Sequence, residues 1–308
     1  MGPTATGKTD LVLRLAGEFP IEIISVDSGL IYKDMSIGTA KPSKEQLSKV
    51  PHHLIDIISP LESYSVAAFI HDAVRLIPEI IKRGKLPVLV GGTMMYYNGL
   101  LNGISKLPEA SPDIRHKIEA EAELIGWDGL HTKLKEIDPA AAAKIASADK
   151  QRISRALEVY YITGKPLSTM QLESNINLAK DKNIQFLPLA ILPDNRQILH
   201  DRIAKRFQTM LDNGLIGEVE QLKRKYPNLD INYPSMKSAG YNQVWQYLDG
   251  SLKSIDELYE LGVSATRQLA KRQITWLRSM DSINLDTDNL NPATLYTNLH
   301  HQVKCNAI

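Results

Sequence analysis

The sequence predicts an α/β protein: a P-loop-type, doubly wound parallel sheet carrying a helical insertion domain. Three observations point there. Gly2-Pro3-Thr4-Ala5-Thr6-Gly7-Lys8-Thr9 fits G-x-x-x-x-G-K-[ST] at every fixed position, and helical spacing follows at Leu11 and Leu15. β-branched segments at residues 21–26 and 87–93 alternate with amphipathic helical sequence through short connections, the pattern of parallel strands joined by right-handed crossovers. Between residues 111 and 169 nothing reads as a strand, and alanine-rich helical sequence takes over.

In the first element, the glycines let consecutive backbone N–H groups turn inward, and the following helix adds its positive end. Lys8 brings a charge to a terminal phosphate, and the Thr9 hydroxyl is placed to ligate Mg²⁺. The helix is expected to run to about Ala16, stopped by Gly17 and Pro20. The strand at 21–26 ends at Asp27-Ser28, and open α/β sheets collect their chemistry at the carboxyl ends of strands. Asp27 is therefore the best-placed carboxylate, either as Mg²⁺ support or as a general base. A phosphate loop is normally the turn between a buried strand and a helix, and only Met1 precedes Gly2 here. The expectation is that the first strand is missing, through an internal start or a truncated reading frame.

Further along, residues 38–42 read as a loop. His52 and His53 are adjacent, which points them apart, so they read as structural rather than as metal ligands. A helix is expected over 65–83, apolar at Val66, Phe69, Ile70, Ala73 and Ile77, kinked at Pro78 and ended by Gly84. The strand at 87–93 should be buried and runs into Gly91-Gly92-Thr93 without an acid. Asp149 is a plausible N-cap for a helix in which Arg152 and Arg155 share a face while Ile153, Leu157 and Tyr160 pack away from it; Gly164 and Pro166 end that helix. A strand is expected over 184–191. The helix from Leu199 carries Ile203, Phe207, Met210 and Leu211 at core spacing, with Arg202 and Arg206 beside them, and Asn213-Gly214 caps it. A long helix over 256–280 reads as apolar at Leu258, Ala265, Leu269 and Trp276, and basic at Arg267, Lys271 and Arg278 with Thr275 among them. That stripe is either a solvated face or a binding surface.

Composition narrows the class. A chain of 308 residues with 43% hydrophobic and 23% charged residues is long enough for a large core and more than one lobe. No apolar run approaches the ~20 residues of a membrane span. The only cysteine, Cys305, lies near the C-terminus, and the phosphate loop begins at residue 2, so a cytoplasmic protein without a leader is expected. A net charge of +1 argues against a generally basic nucleic-acid coat; any such contact must come from local clusters.

Five segments then occur in order: the phosphate loop, Ser25-Val26-Asp27-Ser28, Ile37-Gly38-Thr39-Ala40-Lys41-Pro42, Val90-Gly91-Gly92-Thr93, and Thr266-Arg267-Gln268-Leu269-Ala270-Lys271-Arg272-Gln273. Together they resemble the tRNA dimethylallyltransferase (tRNA isopentenyltransferase) family, bacterial type, over nearly the whole chain. The resemblance implies prenyl transfer from dimethylallyl diphosphate to N6 of the adenosine next to the anticodon. It gives the phosphate loop to the diphosphate with Mg²⁺ on Thr9, makes Asp27 the base, has Thr93 orient the reacting groups, and has Arg206 close on the diphosphate. For tRNA it implies Asp27, Ser28, Gly29, Leu30, Thr93 and Arg115. It adds Gln151-Arg152-Ile153-Ser154-Arg155, Lys237-Ser238-Ala239-Gly240-Tyr241-Asn242 and Lys271-Arg272-Gln273-Ile274-Thr275-Trp276-Leu277-Arg278. The expected organisation is a monomer with a core from residues 1–108 and 184–308, an insertion at 109–183, and RNA-facing C-terminal helices. Two rivals fit the phosphate loop alone: a small-molecule kinase, and a nucleotide-gated RNA-binding module.

Overall fold

The structure is a computed structural model describing residues 1–173, 175–285 and 287–306. It divides into two units, Met1–Gly99 with Lys182–Ile308, and Leu100–Asp181.

In the first unit, α1 (Lys8–Leu15) follows the phosphate loop and leads to β1 (Ile21–Val26), every residue of which is buried. After α2 (Lys44–Lys49) comes the short β2 (His52–His53), then α3 (Val66–Lys82) and β3 (Leu86–Gly91). The three strands form a parallel sheet in the order β2-β1-β3, with Ile21 opposite Leu86 and Val26 opposite Gly91. Alternation along β1 assigns its faces. Ile21 and Ile23 pack with Val12 of α1, whereas Glu22 reaches Arg83 at the end of α3, so the two helices cover opposite faces. Ser65 caps α3, accepting from Ala68 N–H, and Gly84 at φ +69° ends it. One expectation needs correction here: β3 stops at Gly91 with Leu86 to Val90 only half-buried, while α3 carries Pro78 inside a continuous helix.

The chain continues through α4 (Met94–Asn102) into the second unit. There β4 (Ile104–Ser105) precedes α5 (Pro112–Ile137), which turns sharply at Gly126, φ 73° and ψ 167°. The short α6 (Pro139–Ala142), α7 (Lys150–Thr163) and α8 (Leu167–Glu173) follow. β5 (Asn175–Ile176) pairs antiparallel with β4, and α9 (Leu178–Asp181) closes the unit. Ile118, Leu130, Leu134, Ile153 and Leu157 form its core. Asp149 caps α7 through Arg152 N–H, and Gly164 ends it in the left-handed region.

Back in the first unit, β6 (Leu189–Ile191) pairs in parallel with β7 (Ile283–Leu285), making β6 much shorter than the segment expected over 184–191. Met1 lies along β6: its amino group donates to Leu189 O at 2.6 Å, and Ile191 N–H donates to Met1 O at 2.9 Å. α10 (Arg196–Asp212), α11 (Leu215–Lys225), α12 (Tyr241–Leu248), α13 (Ile255–Leu277) and α14 (Pro292–Asn306) complete it. α10 and α13 cross so closely that a Cβ on Gly262 would lie 2.0 Å from the Phe207 ring. α13 buries Leu258, Gly262, Val263, Ala270 and Leu277. That corrects the expected apolar face, because packing on α10 and α12 turns the helix so that Trp276 is exposed and Ala265 and Leu269 only half-buried. α14 is the last helix of the described residues. It docks on α1, with His300 Nε2 3.0 Å from Glu18 and the Arg14 guanidinium 3.7 Å over the Tyr296 ring. No helix of the described residues is long and apolar enough to cross a membrane.

Glu22 deserves a test, as a buried carboxylate in β1. Arg83 donates to both its oxygens at 2.9 and 2.7 Å, and His53 Nε2 sits 2.7 Å from Oε2. The Arg83 fork, helped by His53, overcomes burial and moves the carboxyl from its ordinary 4.5 down to about 2. A depressed carboxylate pKa stabilises the fold above the unfolded-state value, and that contribution is lost as pH falls through the folded one. Urea midpoints should therefore drop between about pH 4.5 and pH 2. Glu22→Gln should lower stability at neutral pH and flatten that acid dependence; an unchanged acid limb would assign it to other carboxylates.

Candidate active site

The phosphate loop is bent by two left-handed residues, Ala5 at φ +63° and Gly7 at φ +84°, the latter serving as N-cap of α1. A strained alanine persists only when its surroundings hold it. Thr6 Oγ1 donates to Pro3 O at 2.9 Å, and Lys8 Nζ donates to Pro3 O at 2.5 Å. Burial, then the neighbouring charge of Arg206, pushes the Lys8 ammonium down to about 7, with Asp27 opposing. Arg206 of α10 is likewise lowered by burial and supported by Asp27. Its guanidinium has no hydrogen-bond or ion-pair partner among the described residues. Lys8, Arg206 and Asp27 line one cleft of about 240 Å³, with Thr9 and Asp10 at its exposed edge.

Across from the loop, the ends of β1 and β3 form a rigid corner. Gly91 lies so close to β1 that a Cβ there would stand 2.0 Å from Val26 O, which excludes any side chain. Thr93 N–H donates to Val26 O at 3.1 Å, and Thr93 Oγ1 accepts from Ser28 N–H at 3.0 Å. Asp27 Oδ1 accepts from Gly29 N–H at 2.8 Å and Leu30 N–H at 3.3 Å, which fixes the carboxylate. Asp27 Oδ2 has no partner among the described residues and is left for a ligand. His52 and His53 are spent structurally, on Val50 O and Glu22. No group of three or more metal-ligating side chains occurs among the described residues.

A third wall was missed in the sequence. Glu218 of α11 accepts from Ser36, Ile37 and Gly38 N–H at 2.9, 2.8 and 3.2 Å, and from Tyr241 Oη at 2.5 Å. It thus holds the loop whose Thr39, Ala40 and Pro42 line the cleft. Gly38 is needed because a Cβ would meet the Tyr241 ring at 2.5 Å. Glu218 lies 180 residues from Gly38, and no local pattern marks it.

The residues tied by resemblance to tRNA separate into distinct environments. Ser28 is exposed, Leu30 lines the cleft, and Gly29 is buried beneath Thr39. In the second unit Glu158, wholly buried, accepts from Arg115 Nε at 2.9 Å and Arg155 Nη1 at 2.6 Å, while Arg152 pairs with Asp149 at 3.4 Å. Gln151 is exposed and Ser154 half-buried. Lys237 is exposed, Ser238, Ala239 and Asn242 are half-buried, and Gly240 is buried at φ +94°. On α13, Lys271, Arg272, Thr275, Trp276 and Arg278 are exposed, and no ion pair engages their charged groups among the described residues. Ile274 is half-buried, and Gln273 turns into the cleft. Ile153, Tyr241 and Leu277 are buried, so these three positions do not expose their side chains. Arg267 is half-buried with its Nε enclosed and unpartnered, so it is not part of an open stripe.

A parallel α/β sheet with a cleft lined by Lys8, Arg206 and Asp27 at its strand ends defines the class, and comparison with known proteins narrows it. A family model described as IPP transferase matches residues 30–280. A Chromobacterium violaceum protein named tRNA dimethylallyltransferase is 54% identical over 286 residues, covering 93% of this chain and 87% of that protein. A Legionella pneumophila protein of the same name is 52% identical over 291 residues, covering 94% and 91%. Among solved structures, the full-length tRNA isopentenylpyrophosphate transferase from Bacillus halodurans aligns with a TM-score of 0.63 at 36% identity, covering 100% of this chain and 97% of that one. A eukaryotic dimethylallyltransferase captured acting on tRNA aligns with a TM-score of 0.70 at 28% identity, covering 92% and 72%. The chain belongs to the IPP transferase family.

Glu218→Ala should free the loop over the cleft. The amides of Ser36, Ile37 and Gly38 lose their shared acceptor, so their hydrogen exchange should quicken about tenfold or more. Unchanged exchange at these three amides would mean that the loop holds its own shape.

Proposed function

We propose that this chain transfers a dimethylallyl group from dimethylallyl diphosphate to N6 of the adenosine next to the anticodon in tRNA, acting as a monomer in the cytoplasm. One observation carries the reading: Asp27, Lys8 and Arg206 line the same cleft, and neither cation is bonded to a carboxylate among the described residues. Two such cations fit a diphosphate leaving group. Lys8, held near 7 in the free cleft, gains its full charge when an anion arrives, and the Arg206 fork binds two phosphate oxygens. The loop N–H groups and the positive end of α1 add to this. Thr9 would hold Mg²⁺ through its hydroxyl oxygen, a hard donor that suits that ion. Mg²⁺ there supplies further neutralisation of the diphosphate charge.

The chemistry follows from these positions. The allylic carbon–oxygen bond breaks, its electron pair leaving on diphosphate, while the adenine N6 lone pair forms the new carbon–nitrogen bond. Asp27 Oδ2 takes the proton that N6 gives up, so the product is a neutral secondary amine. Thr93 keeps the Asp27 corner in place through Ser28 N–H. The adenine leaves its stack to reach the cleft, which costs least in a single-stranded loop. Lys271, Arg272, Trp276 and Arg278 of the first unit supply charge and a stacking surface for the RNA, and Arg115, Arg152 and Arg155 offer further cations on the second unit by itself.

Incubation with labelled dimethylallyl diphosphate and unmodified tRNA, followed by digestion to nucleosides, tests the reading. Label is expected in N6-dimethylallyladenosine; phosphoryl transfer from ATP without that product would favour a kinase. Asp27→Asn should slow single-turnover chemistry about 10²–10⁴-fold while leaving tRNA affinity nearly intact. A loss confined to diphosphate binding would make Asp27 a Mg²⁺ ligand instead. Replacing Lys271, Arg272 and Arg278 with Ala should weaken tRNA binding and lower its salt slope by about 2–3. An unchanged slope would make the stripe ordinary solvated surface.

A further inference from the structure

Gln273 is the side chain on α13 that points away from the exposed basic face and into the cleft. Its amide makes two bonds at once. Thr4 N–H donates to Oε1 at 2.9 Å, and Nε2 donates to Gly92 O at 2.8 Å. One partner is only a donor and the other only an acceptor, so the amide orientation is fixed by its surroundings. A Cβ on Gly92 would lie 2.4 Å from Nε2, so a side chain there would displace the Gln273 amide.

The bond to Thr4 falls beside Ala5, the left-handed alanine of the phosphate loop. Inside the loop the ties are Thr6 and Lys8, both on Pro3 O. Lys8 keeps further N–H donors for a diphosphate beyond the one on Pro3 O, whereas the Gln273 bond comes from outside the loop and ties Thr4 whatever Lys8 does. We infer that Gln273 is a positioning residue which braces the phosphate loop against the end of β3, so that the RNA-facing helix shapes the diphosphate site before any RNA is bound. This rests on the reading of the loop as a diphosphate site.

Titration with inorganic pyrophosphate and Mg²⁺, in the absence of RNA, isolates the brace. Gln273→Met keeps the length and bulk of the side chain but removes both hydrogen bonds. It should weaken pyrophosphate binding about tenfold and raise KM for dimethylallyl diphosphate similarly, with affinity for an anticodon stem-loop RNA within twofold of the parent. Gly92→Ala displaces the amide without altering Gln273 and should reproduce the pattern. Retained RNA binding reports that each variant is folded. Unchanged pyrophosphate affinity in a folded Gln273→Met protein overturns the brace, as does a loss of RNA affinity alone, which would make Gln273 an RNA contact. Failure of the parent protein itself to bind pyrophosphate would instead overturn the diphosphate reading.

Discussion

Lys8 and Arg206 are two cations held in one cleft with no carboxylate among the described residues bonded to either, and much of the first unit is arranged around that fact. Burying unpaired charge is costly, and like charges repel. The strain shows in the depressed Lys8 and Arg206 pKa values. Asp27 eases it from the far wall, but its Oδ1 is occupied by Gly29 and Leu30 N–H. Two cations and the carboxylates of Asp27 and Asp10 thus share the cleft, and neither cation is neutralised by a direct bond among the described residues.

Such a cleft must not collapse onto itself, and three unrelated ties prevent it. The β1–β3 corner is locked by the close approach of Gly91 to Val26 and by Thr93. The loop at residues 36–38 hangs on Glu218, a single carboxylate taking three successive amides and a tyrosine hydroxyl. The phosphate loop is pinned at Thr4 by Gln273. Each tie is polar and directional, where apolar packing would allow sliding. Preorganisation of this kind lets electrostatic stabilisation act without rearrangement during the reaction.

The arginines of the second unit carry a different lesson. Glu158 is buried and needs Arg115 and Arg155 for its own sake. Side chains that satisfy a buried acid are not free to follow a ligand, yet they stay partly exposed and present an ordered cationic surface. Rigid arginines lose less entropy on meeting a phosphate than mobile ones do.

Motif and periodicity were enough for α1, β1, the extent of α3, the strandless stretch and the ends of α7 at Asp149 and Gly164, because each depends on neighbours within a few residues. Asp27 was legible for the same reason, as the acid ending a β-branched strand. What lay beyond reach was set by contacts distant in the chain. Nothing near Glu218 says that it meets Gly38, and nothing near Gln273 says that it turns toward Thr4 rather than outward with Lys271 and Arg272. The rotation of α13 depends on α10 and α12, so a one-residue step along the helix decided that Leu277 is buried and Trp276 exposed. The sequence by itself determined the elements and the chemistry available at their ends. Only the tertiary structure decided which side chains of a mixed helix face the cleft, because a 100° step per residue makes that choice depend on what the helix packs against.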